Sequence, residues 1–207
     1  RVEFYSPEIV RVYKEPATRP FSKVSIPVIM KPSTVSLSYG GSGAISTIGS
    51  DKVKVCVNTE TGGIVFADSK GNIMLRDKDY GTQFTPRNDA GRPSFTVRQA
   101  FLLDTAEVIY GLGQQQTGLV SQRNQRLLLR NENMKICIPF VHSAKGYGLY
   151  WDNYSPTVFL DNPQEMSFDS EVGDCADYYF IYGGNADGVI AGVRQLTGQA
   201  PMYPLWT

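Results

Sequence analysis

Val53, Val55 and Val57 alternate with Lys54, Cys56 and Asn58, and the alternation stops at a turn sequence, ETGG. It resumes at Ile64 and Phe66, breaks at DSKGN, and resumes at Ile73 and Leu75. A side-chain period of two, interrupted by glycine turns, predicts an antiparallel meander. Further short strands are predicted at 1–14, 23–30, 34–38, 45–49, 93–103, 107–110, 126–130, 134–141, 147–151, 156–160, 165–170 and 177–183. Strands recurring every ~8–12 residues over this length predict a mainly-β fold, a large antiparallel β-sandwich. The glycine-rich patch YGGSG at 39–43 is expected to be a mobile loop.

One stretch breaks the period. In NADGVIAGVRQLTG, Asn185 is placed to cap a helix, Asp187 lies in its first turn, and Gly198 sits where a helix stops. Ala186, Val189, Ile190, Val193 and Leu196 or Thr197 fall near one face. A single C-terminal helix is therefore expected over about 186–197. The chain divides into a sandwich domain at 1–197 and a linker at 198–207. That linker, with Pro201, Pro204 and Trp206, reads as a lead-in to a further fold. The start RVEFYSP, strand-like and without Met, implies residues upstream as well.

The 20 basic and 20 acidic residues cancel. Nucleic acid or an anionic membrane as main partner would need a basic excess, so neither is expected. Arg123, Arg126 and Arg130 alternate with Asn, Gln and Leu and make no stripe. No apolar run approaches the ~18 residues of a membrane span. Cys56, Cys137 and Cys175 lack metal-ligand or disulfide spacing and are expected to be buried free thiols.

The chemistry-bearing residues are sparse. His142 is the only histidine, too few for mutarotase-type catalysis and without a GxSxG serine for a triad. It is expected to be structural or on the surface. GLGQQQTG at 111–118 is a poor phosphate loop, and Gly111 and Gly113 are better read as permitting a bulge or close strand approach. Asp152, Asp161, Asp169, Asp174 and Asp177 are expected to be solvated turn carboxylates, with none paired for glycoside hydrolysis. In KGYGLYWDNYS, Tyr150, Trp151 and Tyr154 are candidates to stack on sugar rings. Strand alternation would place at least half of that aromatic group, which includes Tyr147, in the core. The sequon NYS at 153–155 is followed by Pro156.

EVIYGLGQQ, IPFVHSAKGYGLYWDNYS, DYYFIYG and LTGQAPMYPLW occur in an order and at distances that resemble the N-terminal β-sandwich of glycoside hydrolase family 31. VEFYSPEIVRV and GGIVFADSKGNIML resemble that domain's first strands, and the α-xylosidase branch is the nearer likeness. The resemblance implies a galactose mutarotase-like supersandwich whose C-terminal helix leads toward a (β/α)8 barrel not contained in this sequence. It implies a parent that is a retaining, exo-acting α-glycosidase, an α-xylosidase, with no metal or organic cofactor. The fragment itself would hold no catalytic residue; its role would be to brace the barrel and shape the pocket rim. Its partners would be that barrel and the oligosaccharide substrate. The position matching the family's rim loop is LLLRNENMK, which makes Arg130, Asn131, Glu132 and Asn133 the rim candidates, although a plain hairpin turn at NEN is the simpler local structure. A free-standing carbohydrate-binding module is the alternative. Apolar surface meant for the barrel would be expected to draw copies into a non-native dimer. The compartment stays open between bacterial periplasm and cytoplasm, with the periplasm favoured.

Overall fold

The meander forms as the alternation predicts. In the computed structural model, which describes residues 1–206, β1 (Val2–Phe4) and β2 (Ile9–Lys14) are followed by β3 (Ser38–Ser42), β4 (Ile45–Gly49), β5 (Val53–Asn58), β6 (Ile64–Asp68) and β7 (Ile73–Asp89). Then come β8 (Arg92–Leu102), β9 (Ile109–Gln114), β10 (Arg126–Leu129), β11 (Ile136–Ser143), β12 (Tyr147–Trp151), β13 (Thr157–Asn162), β14 (Glu165–Gly173), β15 (Ala176–Tyr182) and α1 (Ala186–Thr197). Val53, Val55, Ile64 and Phe66 point into the core. The two turns between them are fixed by their own side chains: Asn58 Oδ1 accepts the amides of Glu60 and Thr61, and Asp68 Oδ1 accepts those of Lys70 and Asn72.

All strands pair antiparallel in two sheets, a six-stranded one ordered β1-β2-β15-β12-β11-β9 and a nine-stranded one ordered β10-β13-β14-β8-β7-β6-β5-β4-β3. Their facing sides make one aromatic-rich core. Phe66 stacks on Phe180 with ring centres 4.3 Å apart, and Trp151 stacks on Phe168 at 5.7 Å. The six-stranded sheet is covered on its other side too. There Tyr5, Ile9, Phe140, Tyr150, Tyr179 and Ile181 pack against Val189 and Leu196 of α1. Burying two such aliphatic side chains contributes ~1.5–3 kcal/mol each toward holding the helix in place. With both faces covered, β15 from Tyr178 onward reads as a continuous apolar and aromatic run rather than an alternating one.

The helix begins where Asn185 Oδ1 accepts the Gly188 amide, and it ends at Gly198, whose amide donates to the Arg194 carbonyl. Of the expected apolar face, Val189 and Leu196 are buried and Val193 packs beside them, while Ala186 and Ile190 are exposed. Gly192 contributes as well, because a methyl group there would overlap Ile181 of β15.

Several segments differ from expectation. The patch at 39–43 is strand for most of its length. Tyr39 pairs with Ile48 and Gly41 with Ser46, and a side chain at Gly41 would collide with the Ile45 carbonyl. The apolar positions just before it, Val35 and Leu37, pack on the core without joining a ladder. Segment 23–30 is no strand either. It is a strap whose Ile29 and Met30 amides donate to the Leu196 carbonyl at the helix end. Pro27, which has no amide hydrogen, leaves this run short of ladder donors. β7 extends far past the predicted Leu75. Its polar second half runs as a long hairpin with β8, from Thr82 opposite Gln99 to Asp89 opposite Arg92, after a register break beginning at Asp77.

Candidate carbohydrate-contact surface

Three of the five aspartates expected in solvent are buried: Asp152, Asp161 and Asp177. Each lies beside a cation. Arg11 Nε and Nη2 donate to the two Asp177 oxygens at 2.8 and 2.7 Å. Lys23 Nζ is 3.0 Å from Asp152 Oδ2 and 3.3 Å from Asp177 Oδ2. Arg123 Nε lies 2.9 Å from Asp161 Oδ2. Asp169, more exposed, is held by Arg98 at 2.7 Å. The correction has a simple cause: partners far along the chain replace the water that an isolated turn would supply.

Sequence reasoning missed two further buried acids. Asp77 is bonded by Lys14 at 2.6 Å and by the Tyr178 hydroxyl at 2.8 Å. Burial still pushes its carboxyl above the usual range, against the pull of Lys14 and Tyr178. Glu107 accepts from the Ser143 hydroxyl at 2.6 Å and from the Tyr147 hydroxyl. Asp77 sits in the charged run Arg76–Asp79 and Glu107 just before β9, and neither stretch carries a sign of its distant partners.

His142 is half-buried with its ring stacked on Tyr110 at 5.0 Å, and burial lowers its pKa. Its Nδ1 has no hydrogen-bond partner. Gly111 and Gly113 do permit close strand approach. They adopt φ of +117° and +82°, and a side chain at either would collide with the carbonyl of Phe140 or Ile136. The β9–β11 register shifts between Cys137 and Val141, so the bulge lies there. The three thiols are free, but only Cys175 is fully buried. Asn153 of the sequon is tied down, donating to the Val172 carbonyl and accepting from Ser155.

The rim candidates form a tight turn. Glu132 and Lys135 bridge each other, and Arg130 Nε donates to Glu132 Oε1 at 2.9 Å. Asn131 Oδ1 accepts the Cys137 amide at 2.7 Å. Arg130 and Asn131 face Tyr150 and Tyr154 across a cavity of about 240 Å³. Glu132 and Asn133 do not line it. Of the stacking candidates, Trp151 is removed to the core: it is 0% exposed and its indole Nε1 donates to Ser170 Oγ at 2.9 Å. The pleat of β12 turns Tyr150 to the sheet's other side, where it is almost wholly buried. Tyr154, past the strand end, is 55% exposed. Its ring lies 4.9 Å from Lys23 Nζ, and its hydroxyl accepts the Ile26 amide at 2.8 Å. Tyr150, Trp151 and Tyr154 therefore do not form a flat exposed strip.

Two antiparallel sheets around a shared aromatic core, the smaller sheet capped by one helix, define a galactose mutarotase-like β-sandwich domain. The family model for the glycosyl hydrolase 31 N-terminal galactose mutarotase-like domain matches residues 1–159, and the chain belongs to that family. It is 36% identical to an α-xylosidase of Saccharolobus solfataricus, an alignment covering 99% of this chain and 29% of that protein. It is 23% identical to α-glucosidase 2 of Bacillus thermoamyloliquefaciens, covering 100% of this chain and 27% of that protein. The chain thus spans less than a third of the length of these curated relatives. Among solved structures, the fold matches a GH31 α-xylosidase from Xanthomonas citri with a TM-score of 0.93 at 18% identity, over 99% of this chain and 39% of that one. It also matches a GH31 α-xylosidase from a soil metagenome complexed with xylose, with a TM-score of 0.87 at 21% identity, over 98% of this chain and 32% of that one.

Proposed function

We propose that this chain is the non-catalytic N-terminal domain of a retaining, exo-acting α-glycoside hydrolase, an α-xylosidase, and that it braces a (β/α)8 barrel and shapes the rim of its substrate pocket. The observation that carries the reading is the 36% identity to an α-xylosidase along 99% of the chain. Two structural features support it. The aspartates that a glycosidase would need free are ion-paired: Asp152, Asp161 and Asp177 all lie beside lysine or arginine. The surface also carries large exposed apolar side chains, among them Val24, Ile26 and Ile29 of the strap and Ile190 of α1. Ile29 lies against Gly198, so the strap and the helix end are neighbours. Such surface is suited to burial against another domain. Arg130 and Asn131 are the rim groups nearest an aglycone, with Tyr150 and Tyr154 behind them.

The test joins this chain to the proposed barrel and assays an aryl α-xyloside. Turnover is expected from the joined protein and none from the 207-residue chain alone. Robust turnover by the chain alone, or an inactive folded joined protein, rejects the reading.

A further inference from the structure

The 153–155 loop separates two cavities. On one side lies the pocket at Arg130 and Asn131. On the other, a larger cavity of about 410 Å³ opens between the strap and the turn at 172–175. Phe21 and Tyr154 belong to its walls, together with Asp152, Asp174 and Lys23. A volume of this size suits a single ring-sized ligand.

The lining chemistry narrows the ligand. Phe21 is 39% exposed and Tyr154 55%, so two aromatic rings are available for apolar contact. Asp152, Asp174 and Asp89 disfavour an anion. The one lysine does not offset this, because its ammonium is already committed to the Asp152 carbonyl and to the carboxylates of Asp152 and Asp177. What remains is acceptor capacity. Asp174 keeps a side chain that is 25% exposed at the cavity wall. A neutral ligand with C–H faces and several hydroxyl donors fits both demands.

We propose that the cavity between Phe21 and Tyr154 is a second sugar site of this domain, one that holds a neutral pyranose ring and is separate from the Arg130–Asn131 rim. The sugar class rests on the glycosidase reading above. The placement rests on the cavity alone.

The experiment is a nitrogen-15 amide shift titration of the whole chain with methyl α-D-xylopyranoside and, separately, methyl α-D-glucopyranoside, with inorganic phosphate as the anionic control. Saturable shifts are expected at Phe21, Tyr154, Gly173 and Cys175 with a sugar, and none with phosphate. Phe21→Leu keeps an apolar residue just before the strap but removes the ring, and should weaken binding about tenfold. Asn131→Ala, at the rim, should leave it unchanged. Thermal melts of both variants establish that they are folded. No saturable shift with either sugar overturns the proposal. So do shifts confined to 130–137 that Asn131→Ala abolishes, or binding untouched by Phe21→Leu. The turnover assay on the joined protein is a separate readout, so a failed cavity site leaves the glycosidase reading standing.

Discussion

Arg11 and Asp177 meet across neighbouring strands with both carboxylate oxygens bonded, at 2.8 and 2.7 Å, and neither side chain has more than a trace of solvent exposure. Removing one member leaves the other charged and buried without its match. Asp177→Ala is therefore expected to cost about 3–5 kcal/mol, more than a surface ion pair could. Lys23, 3.3 Å from the same carboxylate, loses a partner in the same step. Urea unfolding of Asp177→Ala against the double variant Arg11→Met/Asp177→Leu checks this. The double variant should recover much of the loss, and equal losses would mean that the charges matter little.

Gly113 tests the β9–β11 approach. At φ +82° a side chain would be strained in any surroundings, and here it would also strike the Ile136 carbonyl. Gly113→Ala should destabilise by at least ~2 kcal/mol. Gly43→Ala, at φ +57° with open space around it, should cost only about 1 kcal/mol. Denaturant midpoints of the two variants give the comparison.

Burial pushes the Cys175 thiol up to about 11. It should resist a disulfide reagent at pH 8 in the folded protein and react promptly in urea, with mass spectrometry identifying the labelled residue. The sign of the linkage follows. The unfolded thiol ionises near pH 8.5, while the folded one stays protonated until about 11. This group's contribution to stability is complete below pH ~8.5 and is lost as the pH rises through that window.

Trp151 and Trp206 stand at opposite extremes, 0% and 87% exposed. Trp206→Phe should leave one blue-shifted emission that acrylamide barely quenches. A red-shifted, readily quenched signal from that variant would contradict the placement of Trp151 inside the sandwich.

The parts of the fold legible in the sequence are those where one face is wet. β5 and β6 alternate because one side meets solvent, and α1 declares itself through Asn185 and Gly198. β15 was legible only as an apolar and aromatic run, since no period survives when both faces are covered. The second half of β7 was hidden because an exposed hairpin can be polar on both sides. The strap was misread because apolar spacing signals burial, not backbone pairing. Alternation showed that Tyr150 and Trp151 point opposite ways without saying which faces the core. The buried charges were the least legible: Arg11 and Asp177 lie 166 residues apart, and no local pattern announces such a pair.

The sheet order also constrains how the molecule can be made. β2 lies next to β15, with Val10 opposite Phe180. During synthesis the β1–β2 hairpin must therefore wait, with one edge of β2 unpaired, until β15 has left the ribosome. Contacts of such long sequence separation fold slowly and leave strand edges open to wrong pairing meanwhile. Once out, β15 joins β2 to β12, and the helix that shields its outer surface follows within a few residues.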